Sequence, residues 1–197
     1  MSNETYRRFD PWRTAPVKEE VRKQIVASHY FNVDHVAFNS SEVGHFERYL
    51  VQENGGDTVG VLAVTEDGQI PLVEQYRIPT HRWTLEIPAG KLDGVDEDPF
   101  VCAQRELSEE TGLTADHWRK LTVLETTPGF CNERIHLYLA TGLHAGKTHP
   151  DEDEFVCTLR MPLSDAVQKV MDGTFRDGKT ALALLMVQQL LSAPCKQ

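Results

Sequence analysis

Glu106, Glu109 and Glu110 fall within a five-residue span, at the three- and four-residue separations that bring side chains onto one face of an α-helix. Carboxylates gathered in this way repel one another unless a cation neutralises them. Hard divalent ions such as Mg²⁺ and Mn²⁺ take carboxylate, carbonyl and water oxygens, and a phosphate-bearing substrate can share such an ion. The chemistry suggested is a divalent-metal site. Glu106 and Glu110 are the leading direct ligands, with Glu109 a third ligand or a water-mediated contact. Arg105 adjoins the cluster and can orient it through charge-assisted hydrogen bonds. Arg77, at the end of an apolar run, can present a guanidinium fork to a phosphate or carboxylate, and Glu86 can bind a substrate hydroxyl. Taken alone, an acidic cluster also describes a solvated helix face, so the flanking residues decide.

Those flanks define the element that carries the cluster. Asp98-Pro99 fits a helix start, with proline tolerated in the first turn, and Gly112 marks its stop. Strands are expected over 43–51, 58–64, 70–77 and 83–87, with turns at Gly55-Gly56-Asp57 and Glu66-Asp67-Gly68. Beyond the acidic helix the pattern predicts strands over 121–125, 135–141 and 155–161, then helices over 163–171 and 179–191. In the last helix Leu182, Leu185, Met186 and Gln189 follow one face, read as core or interface. Trp83, Tyr30 and Phe31 offer adenine-stacking surfaces, although core packing is the commoner role for such residues. Residues 1–21 read as polar and proline-punctuated. The expected organisation is a strand-rich N-terminal appendage over 1–54 and a catalytic domain over 55–197. Mixed strands with helices on either side imply an α/β protein, a three-layer α/β/α sandwich.

Composition narrows the function classes. The chain has 197 residues, 40% hydrophobic and 25% charged, enough for one domain with a good core plus an appendage. Its formal net charge of −10 argues against general nucleic-acid binding, which needs a basic surface. The longest apolar stretch, Ala181 to Val187, is too short to span a bilayer, and the first residues carry no apolar signal core. A cytoplasmic protein with no membrane partner is expected. Cys102, Cys131, Cys157 and Cys195 form no Cys-x-x-Cys pair, so reduced thiols are expected and zinc is disfavoured.

The run from Gly90 to Leu113, GKLDGVDEDPFVCAQRELSEETGL, resembles the Nudix box, the signature of hydrolases that cleave nucleoside diphosphates linked to another group. Gly90, Glu97, Arg105, Glu106, Leu107, Glu109, Glu110, Gly112 and Leu113 supply its fixed positions. Seven residues separate Glu97 from Arg105, as the pattern requires, but six rather than five separate Gly90 from Glu97. The extra residue is placed in the loop over 92–96.

The blocks VEQYR, LEIPAGKLD, PGFCNERIHLYLA and DEDEFV further resemble the ADP-ribose pyrophosphatase branch of that family. The resemblance implies divalent-metal hydrolysis of ADP-ribose to AMP and ribose 5-phosphate by a homodimer, whose N-terminal region helps enclose the partner's substrate. Some relatives in this branch prefer other nucleoside diphosphate sugars such as GDP-mannose. A non-catalytic Nudix-fold sensor is the alternative from another class, disfavoured by the intact glutamates. The resemblance also implies the Ala89 carbonyl as a metal ligand, and a support role for Glu97 in pairing with box residues or in the outer metal shell. It implies a general base from the acidic run 151–154, with Glu154 preferred to Glu152. Glu133 is a further substrate-site candidate.

Overall fold

The computed structural model describes residues 10–146 and 157–192. The chain divides into two compact units, Met1–Gln52 and Glu53–Gln197. In the first, β1 (Lys18–Ala27), β2 (Phe31–Ser40) and β3 (Gly44–Glu53) form a sheet in that order, with β1 and β2 antiparallel. The strand β1 lies partly inside the segment read from sequence as a polar lead-in. Every residue of β1 is exposed, so it carries no buried alternation to reveal it. Charge pairing across the ladder helps hold it, with Arg22 bonded to Asp34 at 2.6 Å.

The second unit contains a mixed sheet ordered β7-β4-β9-β8, formed by β4 (Thr58–Ala63), β7 (Ala89–Lys91), β8 (Leu113–Glu125) and β9 (Arg134–Ala145). β4 and β9 run parallel and the outer pairs antiparallel. A second, antiparallel sheet is ordered β10-β5-β6, from β5 (Gln69–Arg77), β6 (Arg82–Glu86) and β10 (Cys157–Pro162). The helices are α1 (Pro99–Thr111), α2 (Leu163–Met171) and α3 (Gly178–Ser192).

Alternation along β4 and β9 explains the layering, because successive strand side chains point to opposite faces. Val59, Val61, Ala63, Tyr138 and Ala140 pack with Cys102, Ala103 and Leu107 of α1. Leu62, Ile135 and Leu137 pack instead with Ala166 of α2 and with Ala183, Leu184 and Val187 of α3. One sheet thus separates two apolar cores, giving the expected α/β/α sandwich.

Two sequence expectations need correction. β8 starts at Leu113, not near residue 121. Its early residues are largely exposed, and a register shift between Lys120 and Thr122 breaks the alternation. In α3 the buried positions are Lys179, Thr180, Ala183, Leu184 and Val187, whereas Leu185 is exposed. This helix is apolar on nearly every face, so periodicity could not set its rotation.

Candidate active site

The acidic helix α1 begins and ends where its sequence directs. The Asp98 side chain accepts the Phe100 N–H at 2.7 Å, an N-cap that satisfies one orphan donor. Gly112 closes the helix in the left-handed conformation at φ 66°, its N–H donating to the Ser108 carbonyl, as a C-terminal glycine should. Within this frame Glu106 and Glu110 are both buried at 8% exposure, and the Glu109 side chain is 40% exposed.

The edge strand β7 runs beside them. Val61 N–H donates to Pro88 O at 2.8 Å and Leu92 N–H to Asp57 O at 3.0 Å, while Val59 faces Gly90 and Gly60 faces Ala89. In an antiparallel ladder this phase sends the N–H and C=O of Ala89 and Lys91 outward, away from β4. The outward groups meet α1: Ala89 N–H donates to Glu110 Oε2 at 2.9 Å, and Lys91 O accepts from Arg105 Nη2 at 3.1 Å. The Ala89 carbonyl therefore opens on the same edge as the Glu110 carboxylate. Gly90 lets helix and strand approach this closely, since a Cβ there would stand 2.1 Å from the Glu106 carboxyl.

Arg105 ties the site together. Its Nη1 donates to Glu106 Oε1 at 2.6 Å and to Glu109 Oε2 at 3.1 Å, and its Nη2 reaches Glu97 Oε2 at 3.4 Å. Burial disfavours its charge, but the carboxylates around it, Glu106 first, raise its pKa. Glu97 also accepts the Asp93 N–H at 2.7 Å, closing the loop that carries the extra residue. Burial pushes the Glu97 carboxyl upward, but the Asp93 N–H and Arg105 outweigh it and hold the group below its ordinary value. Cys102, buried between these charges, has its thiol pushed up to about 12, chiefly by burial. It is a packing residue, and the described cysteines are unpaired.

A hard divalent ion fits the donor chemistry of this edge, where two buried carboxylates and an outward carbonyl are all oxygen donors. Among the described residues, no three acidic, histidine or cysteine side chains converge closely enough to hold an ion by themselves. Arg105 bridges Glu106 to Glu109, drawing the third glutamate toward itself.

Arg77 of β5 and Glu86 of β6, considered separately from the sequence, are joined through their side chains. Arg77 Nε donates to Glu86 Oε1 at 2.8 Å and Nη2 to Oε2 at 2.6 Å, a bidentate fork. Glu86 is only 1% exposed. Thr84 Oγ1 donates to its Oε1 at 2.7 Å, and Lys179 Nζ donates to its Oε2. Burial pushes Glu86 upward, but Arg77 and Lys179 outweigh it, so the group stands at about 2. Glu86 first, with Asp177 and Glu110 adding to it, raises the Arg77 pKa against the opposing effect of burial.

Lys179 was not foreseen from sequence. It occupies the first turn of α3, where Asp177 Oδ2 accepts the Thr180 N–H at 3.0 Å and lies 3.1 Å from Lys179 Nζ. Thr180 Oγ1 in turn accepts the Ile87 N–H at 2.9 Å, pinning the strand end that leads into Ala89. The signal available was Asp177-Gly-Lys-Thr180, a helix cap ahead of an apolar helix with a lysine on the wrong side of it.

Glu133 lines a different surface. A cleft of about 760 Å³ is bounded by Glu97, Glu133, Arg134, His136 and neighbouring residues, but not by Arg77, Glu86, Glu106, Glu109 or Glu110. Glu133 there accepts a hydrogen bond from Thr126 at 2.5 Å. Trp83, Tyr30 and Phe31 are 61%, 68% and 41% exposed, which corrects the expectation that each packs in a core. Trp83 makes an edge contact with Tyr76 instead. Glu152 and Glu154 lie outside the described residues.

Comparison with known proteins decides the family, because the NUDIX domain matches residues 56–184, well over half the chain. The chain belongs to the NUDIX family. A Bacillus subtilis relative named ADP-ribose pyrophosphatase is 44% identical over 144 residues, covering 72% of this chain and 76% of that one. A Cronobacter sakazakii GDP-mannose pyrophosphatase is 32% identical over 185 residues, covering 86% and 94%. The crystal structure of an ADP compounds hydrolase superposes with a TM-score of 0.75 at 24% identity, covering 90% of this chain and 95% of that one, a likeness of fold. In this NUDIX protein Gly90, the loop closed by Glu97, and the stretch of α1 bearing Arg105, Glu106, Glu109 and Glu110 all lie within the matched residues.

Proposed function

We propose that this NUDIX protein hydrolyses the diphosphate of ADP-ribose to AMP and ribose 5-phosphate, using Mg²⁺, with Mn²⁺ as a substitute. The observation that carries the reading is the β7/α1 edge, where Glu106, Glu110 and the Ala89 carbonyl lie together in a chain 44% identical to a protein bearing that name. Glu106, Glu110 and Ala89 would hold the ion, with Glu109 as a further or water-mediated ligand. When bound, a divalent ion neutralises diphosphate charge and makes a water more acidic.

The chain's own residues supply the rest. Arg105 and Glu97 orient the ligand carboxylates, since partners behind a ligand fix its direction. Arg77 contacts the diphosphate, and Glu86 aims it. Glu154, or else Glu152, accepts the proton of the attacking water. The water oxygen forms a bond to one phosphorus, the bridging P–O bond breaks, and the bridging oxygen leaves on the other phosphate. Glu133 serves a more distal part of the substrate.

GDP-mannose is the second reading, supported by the Cronobacter relative matched over most of both chains. A ligand sensor is less favoured because Glu106, Glu109 and Glu110 are all present. We further assign a cytoplasmic homodimer with no nucleic-acid or membrane partner, consistent with the net charge of −10 and with the absence, among the described residues, of a helix able to cross a membrane. The test is a panel of ADP-ribose, GDP-mannose, ADP-glucose and NADH with and without Mg²⁺. ADP-ribose should be turned over best, and failure of all to yield a nucleoside monophosphate overturns the reading.

A further inference from the structure

Glu86 is held by two cations, and they are not equivalent. Lys179 is 7% exposed and comes from the helix side, anchored also by Asp177 at 3.1 Å. Arg77 is 43% exposed and comes from the solvent side. Each Glu86 oxygen receives one bond from Arg77 and one from elsewhere: Oε1 from Arg77 Nε and Thr84, Oε2 from Arg77 Nη2 and Lys179. If Arg77 moves away, both oxygens keep a donor and the carboxylate keeps a counter-charge. If Lys179 is removed, Arg77 becomes the only cation on a buried carboxylate. Stripping the last counter-charge from such a group is strongly unfavourable, so the guanidinium would be trapped.

We propose that Lys179 is a positioning residue, the permanent counter-ion of Glu86 that allows Arg77 to exchange from Glu86 onto the diphosphate of the substrate. Lys179 itself touches no substrate. The arrangement stores Arg77 as a formed fork on Glu86, its side chain 43% exposed, and releases it without leaving Glu86 unpaired. Swapping one bidentate carboxylate for a phosphate preserves the planar geometry that guanidinium favours. This inference rests on the reading of the chain as a nucleoside diphosphate sugar pyrophosphatase.

The test is a double-mutant cycle on the affinity of α,β-methylene ADP-ribose, measured by calorimetry with Mg²⁺ on the full chain. Arg77→Ala should weaken binding by about tenfold or more in the parent protein, but by about threefold or less in a Lys179→Met background, where Arg77 is already trapped. Lys179→Arg should restore the full effect of Arg77→Ala. Equal losses in both backgrounds overturn the proposal, because a lysine that only stabilises the fold does not alter what Arg77 contributes. A second measurement does not depend on the Lys179 variants folding. The Arg77 Nε–H resonance of the parent protein, assigned by its loss in Arg77→Lys, should move when the analogue is added, and an unmoved resonance overturns exchange. Failure of the parent protein to bind the analogue overturns the pyrophosphatase reading as well, whereas binding with additive losses overturns only the role of Lys179.

Discussion

Replacing Glu86 with glutamine gives a stability change with a defined pH dependence. The carboxyl stands at about 2 in the folded protein against an ordinary 4.5, and its side chain is only 2% exposed, so solvent screening does not erode the effect. A depressed carboxyl contributes stability that is fully present above the unfolded value, near 4.5, and is lost as pH falls toward about 2. That gap corresponds to about 3 kcal/mol in total, of which about 2 kcal/mol is gone by about pH 3. Glu86→Gln also takes the shared carboxylate from Arg77 and Lys179, leaving the buried Lys179 with Asp177 alone at 3.1 Å, which adds a destabilisation at neutral pH. Urea unfolding of both proteins between about pH 7 and pH 3 measures this directly. The other carboxylates are common to both, so the difference isolates Glu86. The stability gap should narrow by about 2 kcal/mol as pH falls. Parallel pH curves would show that Arg77 and Lys179 do not hold Glu86 ionised, and the charge assignment of this cluster would be wrong.

Glu110→Gln should lower kcat by about a hundredfold or more with an unchanged melting temperature, checked by steady-state turnover beside calorimetry. Gly90→Ala places a Cβ 2.1 Å from the Glu106 carboxyl, so it should weaken Mn²⁺ affinity by about tenfold in a paramagnetic-resonance titration; unchanged affinity counts against Glu106 as a ligand. Thr180→Val removes the acceptor of the buried Ile87 N–H and should cost about 1–3 kcal/mol, with faster amide exchange at Ile87 as the local readout.

Where the sequence carried a local physical signal, the structure was legible in it. Asp98, Pro99 and Gly112 set the ends of α1 because caps act over one turn, and the observed helix fills the interval between them. The apolar run over 58–64 marked a strand, whereas the division of its faces, Val59, Val61 and Ala63 to one core and Leu62 to the other, came only with the packing. Gly90 was expected from the box, and the reason for it, a carboxyl where its Cβ would lie, required tertiary packing. The pairing of Arg77 with Glu86 was hidden because their contact depends on the β5/β6 register, in which Arg77 faces Arg82 and Val73 faces Glu86. Lys179 was hidden further, since its partner lies 93 positions away. A lysine on the buried face of an apolar helix becomes informative only once the carboxylate above it is known.

On the proposed function, the β7/α1 edge directs water to a nucleoside diphosphate. Phosphorus NMR of ADP-ribose incubated with the protein and Mg²⁺ in ¹⁸O-labelled water tests it most directly. AMP and ribose 5-phosphate should form in equal amounts, one of the two carrying a single ¹⁸O, with both lost in Glu110→Gln. Intact ADP-ribose in the parent protein, or undiminished product formation in Glu110→Gln, would contradict it.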